Sequence, residues 1–487
     1  MLLFLKKCAP RCWRCLAILA VMVVLLGVVG WYKLFRSVPQ PAFASEDAWF
    51  KYGSFEGEAD TGLPFWIWVV LPRVFPELVP GPGGYKAFGL TWEEGQETPA
   101  GFAKKTLGFP RVTQNCALCH TATYRLSPDS PRIVVTGAPA HAFNVQQLLL
   151  FLTRAADDPR FNASTLLAEI GRETKLSFTD KLLYRFAIIP LTRKALQDQG
   201  RQLAWINRPG RPAWGPGRDD SFNLPKFMLA HMPEDSTHGP ADFSPVWRMD
   251  RRKQPGQIFN WGGETPAFRS VLVDSSLGFG VKPNQEFEDK VARMDRFLSS
   301  LPAPVWPYAS GEHAIRADLA ATGRAVYAQE CARCHEPTGE LCGRTVALVE
   351  IGTDPERANT WSQVAADAVN QTIKKQGFRR PDLIKSEGYL ATPLDGLWLR
   401  APYLHNGSVP DLIALLEPVA ARPAVFYRGY DLYDPVAIGF DTTSTEARRL
   451  GWKYDVSERG NSNAGHLYGT NLRPQEKTAL LEYLKTL

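Results

Sequence analysis

The chain has 487 residues, 45% of them hydrophobic, with a formal net charge of +6 and eight cysteines. That length supports two or three domains, each able to bury its own core. Charges of both signs without Lys/Arg runs exclude a nucleic-acid footprint, and the scattered cysteines exclude a disulfide framework.

The first readable element is the stretch Cys15 to Tyr32, uncharged throughout, which as a helix would span roughly 27 Å and so nearly match a hydrocarbon core. Lys6, Lys7, Arg11 and Arg14 precede it and outnumber Lys33 and Arg36, which predicts a cytoplasmic N-terminus and a soluble part in the periplasm, with the chain held in a bacterial inner membrane. Ala42-Phe43-Ala44 resembles a signal-cleavage site, but it lies about a dozen residues beyond the apolar run, so residues 1–44 are read as a tail and an uncleaved anchor.

From Ser45 to Pro110 the chain is rich in Gly, Pro and aromatic residues and shows little helical periodicity; it reads as an irregular wrap. Cys116-Ala-Leu-Cys119-His120 follows, and Cys331-Ala-Arg-Cys334-His335 repeats its pattern. Cys-x-x-Cys-His is the pattern of covalent c-type haem attachment: two thioethers and an axial imidazole from consecutive residues. A zinc site would need further ligands close by, and around Cys331 only Cys342 is left over. Two covalently bound c-type haems are therefore expected.

Between the motifs, helices are expected over Asn144 to Ala155 and Ser177 to Ile206, the latter with Phe178, Leu182, Leu183, Phe186 and Ile189 as a packing stripe. Phe287, Val291, Met294, Phe297, Leu298 and Leu301 form another apolar face, which ends at Pro302-Ala-Pro304. A helix carrying Ile315, Leu319, Val326 and Tyr327 then runs into Cys331, with Gly323 leaving room for a close crossing. Leu480, Leu481, Leu484 and Leu487 form the closing helix face expected of a cytochrome c lobe. The domain reading is 45–307 for an N-terminal haem lobe and 308–487 for a C-terminal one, two divergent repeats. The fold class is mainly α: two cytochrome c-like haem lobes with long irregular insertions, plus an N-terminal transmembrane helix.

A sixth iron ligand, usually Met or His, decides whether a c-type haem carries electrons or binds small molecules. No Met follows Met294, so within its lobe the His335 haem has only His405 or His466 among the common ligands, with Met249 or Met294 reachable across the boundary. For the His120 haem the candidates are His141, His231, His238, Met228 and Met232, or no protein ligand. Arg208, Arg211 and Arg218 are candidate partners for haem propionates, or solvated surface residues.

Leu399 to Leu412, which contains Ala-Pro-Tyr-Leu-His405-Asn-Gly-Ser-Val-Pro, resembles the segment after the second haem motif in bacterial di-haem cytochrome c peroxidases and their relatives. The stretches Gly217 to Asn223 and Gly460 to Gly469 look like the rubber oxygenase branch. This resemblance implies a periplasmic di-haem fold with an open position on the first haem and a bis-His second haem ligated by His466, His405 then being structural. It also implies a Trp between the haems, for which Trp261 is the nearest match and equally a core Trp, and a calcium ion between lobes.

The resulting expectation is a membrane-anchored di-haem oxidoreductase. The His120 haem, without a permanent distal ligand, would activate a small oxidant, peroxide or oxygen, and the His335 haem would handle electrons from an unidentified redox partner or substrate. The other reading is a non-catalytic electron-transfer cytochrome with both irons six-coordinate.

Overall fold

The computed structural model describes residues 2–487, with side chains from residue 16 onward apart from positions 25, 26 and 29. The expected fold class needs correction. Helix makes up 43% of the chain and strand 11%, and among the described residues no helix is long and apolar enough to cross a membrane. The transmembrane helix over Cys15 to Tyr32 therefore does not stand. A helix does form there, α1 (Leu2–Phe35). Its C-terminal end is tied to protein, with Lys33 Nζ 2.7 Å from Asp180 Oδ1 and the Arg36 carbonyl accepting from Gly108 N at 2.8 Å.

The wrap expected over Ser45 to Pro110 is also more regular than its composition suggests. It contributes α2 (Glu46–Tyr52), capped by the Ser45 hydroxyl, and a helix over Phe65–Val74. That helix buries Phe65, Ile67, Trp68, Val70, Leu71 and Val74, so its apolar residues lie on all sides and leave no amphipathic stripe to read. Beside it lies a four-stranded antiparallel sheet of β1 (Ser37–Val38), β2 (Leu63–Pro64), β3 (Phe102–Leu107) and β4 (Phe109–Gln114), in the order β1-β3-β4-β2. Gly108 turns the β3–β4 hairpin at φ 71°, where a Cβ would stand 2.4 Å from the Leu34 carbonyl carbon.

Between the motifs, Phe178–Leu183, a π-helical turn Tyr184–Ile188 and Ile189–Gln202 run on as one helical segment past Pro190. Of the expected stripe Ile189 is buried and Leu183 packs half-buried on the core, but the rest of the face differs. Tyr184, Ile188, Ile189 and Leu196 are buried, whereas Phe178 and Phe186 are 76% and 73% exposed. The π-helical turn shifts the register, so a stripe counted at a constant 3.6 residues ends on the wrong side.

The helices that frame the two motifs are simpler. α3 (Gln285–Ser300) starts at Asn284, whose side chain accepts from Phe287 N, and buries Phe287, Val291, Met294 and Leu298. It packs on α2 through Phe50 and Phe297, whose rings lie 5.2 Å apart. α4 (Ala317–Glu330) and α5 (Pro474–Leu484) pack likewise, with Tyr327 and Tyr483 rings 5.1 Å apart. The cores are shared along the chain: Trp361, Val369 and Ile373 pack with Trp49 and Phe287, while Ala122 and Tyr124 pack with Trp398 and Leu480.

A Cβ on Gly323 would lie 1.9 Å from the Ala479 carbonyl oxygen, so α4 and α5 approach backbone to backbone. Gly323→Val must push the helices apart, and overpacking of this kind costs about 1–3 kcal/mol. A chemical denaturation curve is expected to show the loss; an unchanged midpoint would show that the helices do not cross here.

Candidate haem site

Both Cys-x-x-Cys-His motifs fold into a single tight turn, which brings the two thiols and the imidazole together as c-type attachment would require. In the second, Cys331 ends α4 and its carbonyl accepts from both Cys334 N, at 3.1 Å, and His335 N, at 3.0 Å. In the first, a 3-10 turn over Cys116–Leu118 is capped by Asn115 Oδ1, and the Cys116 carbonyl accepts from His120 N at 3.2 Å. None of the four cysteines is in a disulfide, and burial raises the thiols of Cys116 and Cys331 to about 12.

The two imidazoles are oriented in the same way. His335 Nδ1 lies 2.8 Å from the Thr392 carbonyl, and His120 Nδ1 lies 2.8 Å from the Ser244 carbonyl. A carbonyl only accepts, so Nδ1 carries the hydrogen and Nε2 keeps the lone pair a metal needs. Burial lowers both rings below the ordinary histidine range, His120 to about 4, so they stay neutral.

His335 opens onto a cavity of about 270 Å³ that is also lined by Cys331, Cys334, His405 and His466. Across it the His335 and His466 ring centres are 6.2 Å apart, with 42° between planes. With a metal–nitrogen bond of about 2.0 Å and about 1.1 Å from nitrogen to ring centre, two imidazoles on opposite sides of one ion stand about 6.2 Å apart. The residues therefore fit an iron held between the two rings. His466 is also neutral, held at about 4 chiefly by burial and then by His335.

The charge in the cavity wall fits the same group. Arg252 and Arg400 line it, and burial pulls each down to about 10. Arg400 donates to the Asp395 carbonyl at 2.9 Å, but among the described residues neither guanidinium pairs with a carboxylate. Two half-buried cations without carboxylate partners among the described residues suit a ligand that brings two carboxylates, as a haem does. Sequence reasoning had no signal for these two arginines and named others instead. Of those, Arg218 is fully buried, spent on the Trp214 carbonyl and Asn461 Oδ1, and Arg208 pairs with Glu234.

The remaining candidates are dispersed. His405 lines the cavity with its ring stacked on Tyr389, centres 3.8 Å apart, and its buried Nε2 has no partner. His141 is stacked on Phe440 at 3.7 Å, although the neighbouring Ala140 N donates to the Cys119 carbonyl. His238 is buried with neither ring nitrogen bonded, His231 is exposed, and Met249 and Met294 are core residues. Met228 and Met232 are half-buried on separate apolar clusters. Among the described residues no three His, Cys, Asp or Glu side chains converge as a further metal site, and no calcium ligands are assigned.

Trp261 also lines the cavity and donates Nε1–H to the Asp242 carbonyl at 2.8 Å. Two residues on, the Ser244 carbonyl holds His120. One short strand of main chain thus connects the indole to the first motif's imidazole.

Comparison with known proteins bears on the wall opposite the motif. Residues 388–427 match the RoxA-like, cytochrome c-like family. This match to a cytochrome c-like family supports a haem c in the chain. The matched segment begins at Gly388 beside Tyr389 and includes Thr392, Arg400 and His405. The chain is also 31% identical over 288 residues to the uncharacterized protein y4iJ of Sinorhizobium fredii, covering 46% of this chain and 47% of that one. It is 28% identical over 320 residues to y4iM of the same organism, covering 55% and 70%. The chain thus spans about half the length of y4iJ.

Burial also makes the fold acid-sensitive. His141 is held at about 4 and His238 at about 3, both by desolvation first. In the unfolded chain each takes up a proton near pH 6.5. Below that pH the unfolded state binds more protons than the folded one, so stability falls with pH until about 3 to 4 is reached. Denaturation midpoints are expected to drop between pH 7.5 and 5, with a shallower slope in His238→Gln; equal slopes would place His238 in water.

Proposed function

We propose that the protein is a two-haem c-type cytochrome of the periplasm, the compartment of c-type haem attachment, and an oxidoreductase. In this reading the His335 haem is bis-His and handles electrons, and the His120 haem meets a small oxidant, peroxide or oxygen. The observation that carries it is the 6.2 Å opposition of His335 and His466 beside Cys331 and Cys334. When bound, haem c supplies one-electron chemistry and, at an open iron, chemistry of peroxide or oxygen.

The chain's own residues do the rest. Thr392 and Ser244 fix the tautomer and orientation of the two motif imidazoles. Leu412, Leu416, Leu480 and Leu484 wall the C-terminal cavity and keep water from it, and Arg252 and Arg400 would hold the propionates there. His466 closes the distal side, leaving no room for a small ligand, as suits an electron-handling centre. On the first motif His141 turns its ring to Phe440, an arrangement that supports an open distal position. Trp261 lies between as a relay, coupled to His120 through Asp242 and Ser244.

The oxidised protein is expected to show two ferric haem signals at low temperature. His466→Ala should turn one low-spin signal high-spin; if His405→Ala does so and His466→Ala does not, the ligand is His405. Cyanide added to the oxidised or half-reduced protein is expected to shift the Soret band of one haem. No shift in either state would favour a plain electron carrier.

A further inference from the structure

His466 sits in a loop that the backbone does not favour. Its φ is 48°, a left-handed value that a residue with a Cβ adopts only at a cost. Gly465 before it has φ 77°, and a Cβ there would meet the Gly352 and Thr353 main chain at 2.3 Å. Such a conformation persists only where its surroundings over-determine it.

We propose that Arg422 is the positioning residue for the distal imidazole, locking the His466 loop onto the cavity wall. This rests on the bis-His reading above. Arg422 is 4% exposed and belongs to no ion pair among the described residues. Its five N–H donors go to five main-chain carbonyls. Nη1 donates to Asn463 at 2.6 Å and Gly465 at 2.8 Å, and Nη2 to His466 at 3.2 Å and Leu415 at 3.3 Å. Nε donates to Glu417 at 3.1 Å. Three acceptors are in the ligand loop, and two are in the wall segment 415–417, which lines the cavity. Asn463 Nδ2 returns a bond to the Pro423 carbonyl at 3.2 Å, and the Ile351 carbonyl accepts from His466 N at 2.8 Å. A planar fork with five donors is available only to arginine; lysine offers three and no plane. The guanidinium therefore converts the wall's position into the ring's position.

Arg422→Lys keeps the charge and releases at least two of the five carbonyls. The variant is expected to fold and carry its full haem content, with a high-spin fraction at the C-terminal haem. Cyanide should bind that haem at least about tenfold more tightly than in the parent, because a loosened His466 has a lower effective concentration at the iron. Arg422→Gln is expected to go further the same way. A purely structural role would lower the melting temperature of Arg422→Lys and leave spin state and cyanide affinity alone, which overturns the inference. So would failure of Arg422→Lys to accumulate as haem-loaded protein, since the residue would then serve folding itself. His466→Ala separates the two levels: if it leaves the spectrum unchanged the bis-His reading fails, and if it alone changes the spectrum only the role of Arg422 fails.

Discussion

Two neutral imidazoles facing each other across a gap that fits one metal ion are the constraint on which the C-terminal cavity depends. Neither His335 nor His466 is held by its own element alone. A carbonyl at Thr392 orients one, and the contacts of Gly465, Ile351 and Arg422 fix the other. These groups come from four separate stretches of chain, so the packing that brings them together acts as part of the site. The first motif repeats the device on a smaller scale, with Ser244 in the place of Thr392.

The cavity is also unusual in its charge. Arg252 and Arg400 stand half-buried in the same wall, without a carboxylate partner among the described residues, each held down by desolvation. Asp242 nearby is lifted to about 6 by burial even though Arg428 donates to it at 2.7 Å. An apolar space with two such cations in its wall is favourable around a flat dianion. Affinity for the prosthetic group and stability of the fold are in this sense one quantity.

How much of this could be read from sequence depended on whether the chemistry needs neighbours in the chain. Cys331, Cys334 and His335 had to be consecutive, so the attachment pattern was legible at once. His466 emerged from the scarcity of other ligands after Cys331 and from the motif resemblance, and its ring lies against that of His335. Thr392 and Ser244 were invisible because they act through main-chain carbonyls, which every residue has. The helix Phe65–Val74 escaped because it is apolar all round, and the face of 178–202 was misjudged because a π-helical turn breaks the repeat. Arg422 had no signal at all: a guanidinium that binds five carbonyls looks, in sequence, like any surface arginine.

The closeness of α4 and α5 has a bearing on how the protein is made. His466 and α5 lie far downstream of the Cys331 motif, and until they are in place the α4 end of the cavity has neither its distal ring nor its closing helix. The thiols of that motif are half-buried once the lobe is complete. In a chain made from its N-terminus, Cys331 and Cys334 precede His466 and α5 by more than a hundred residues, so the proposed attachment would meet the motif before its closing elements are in place.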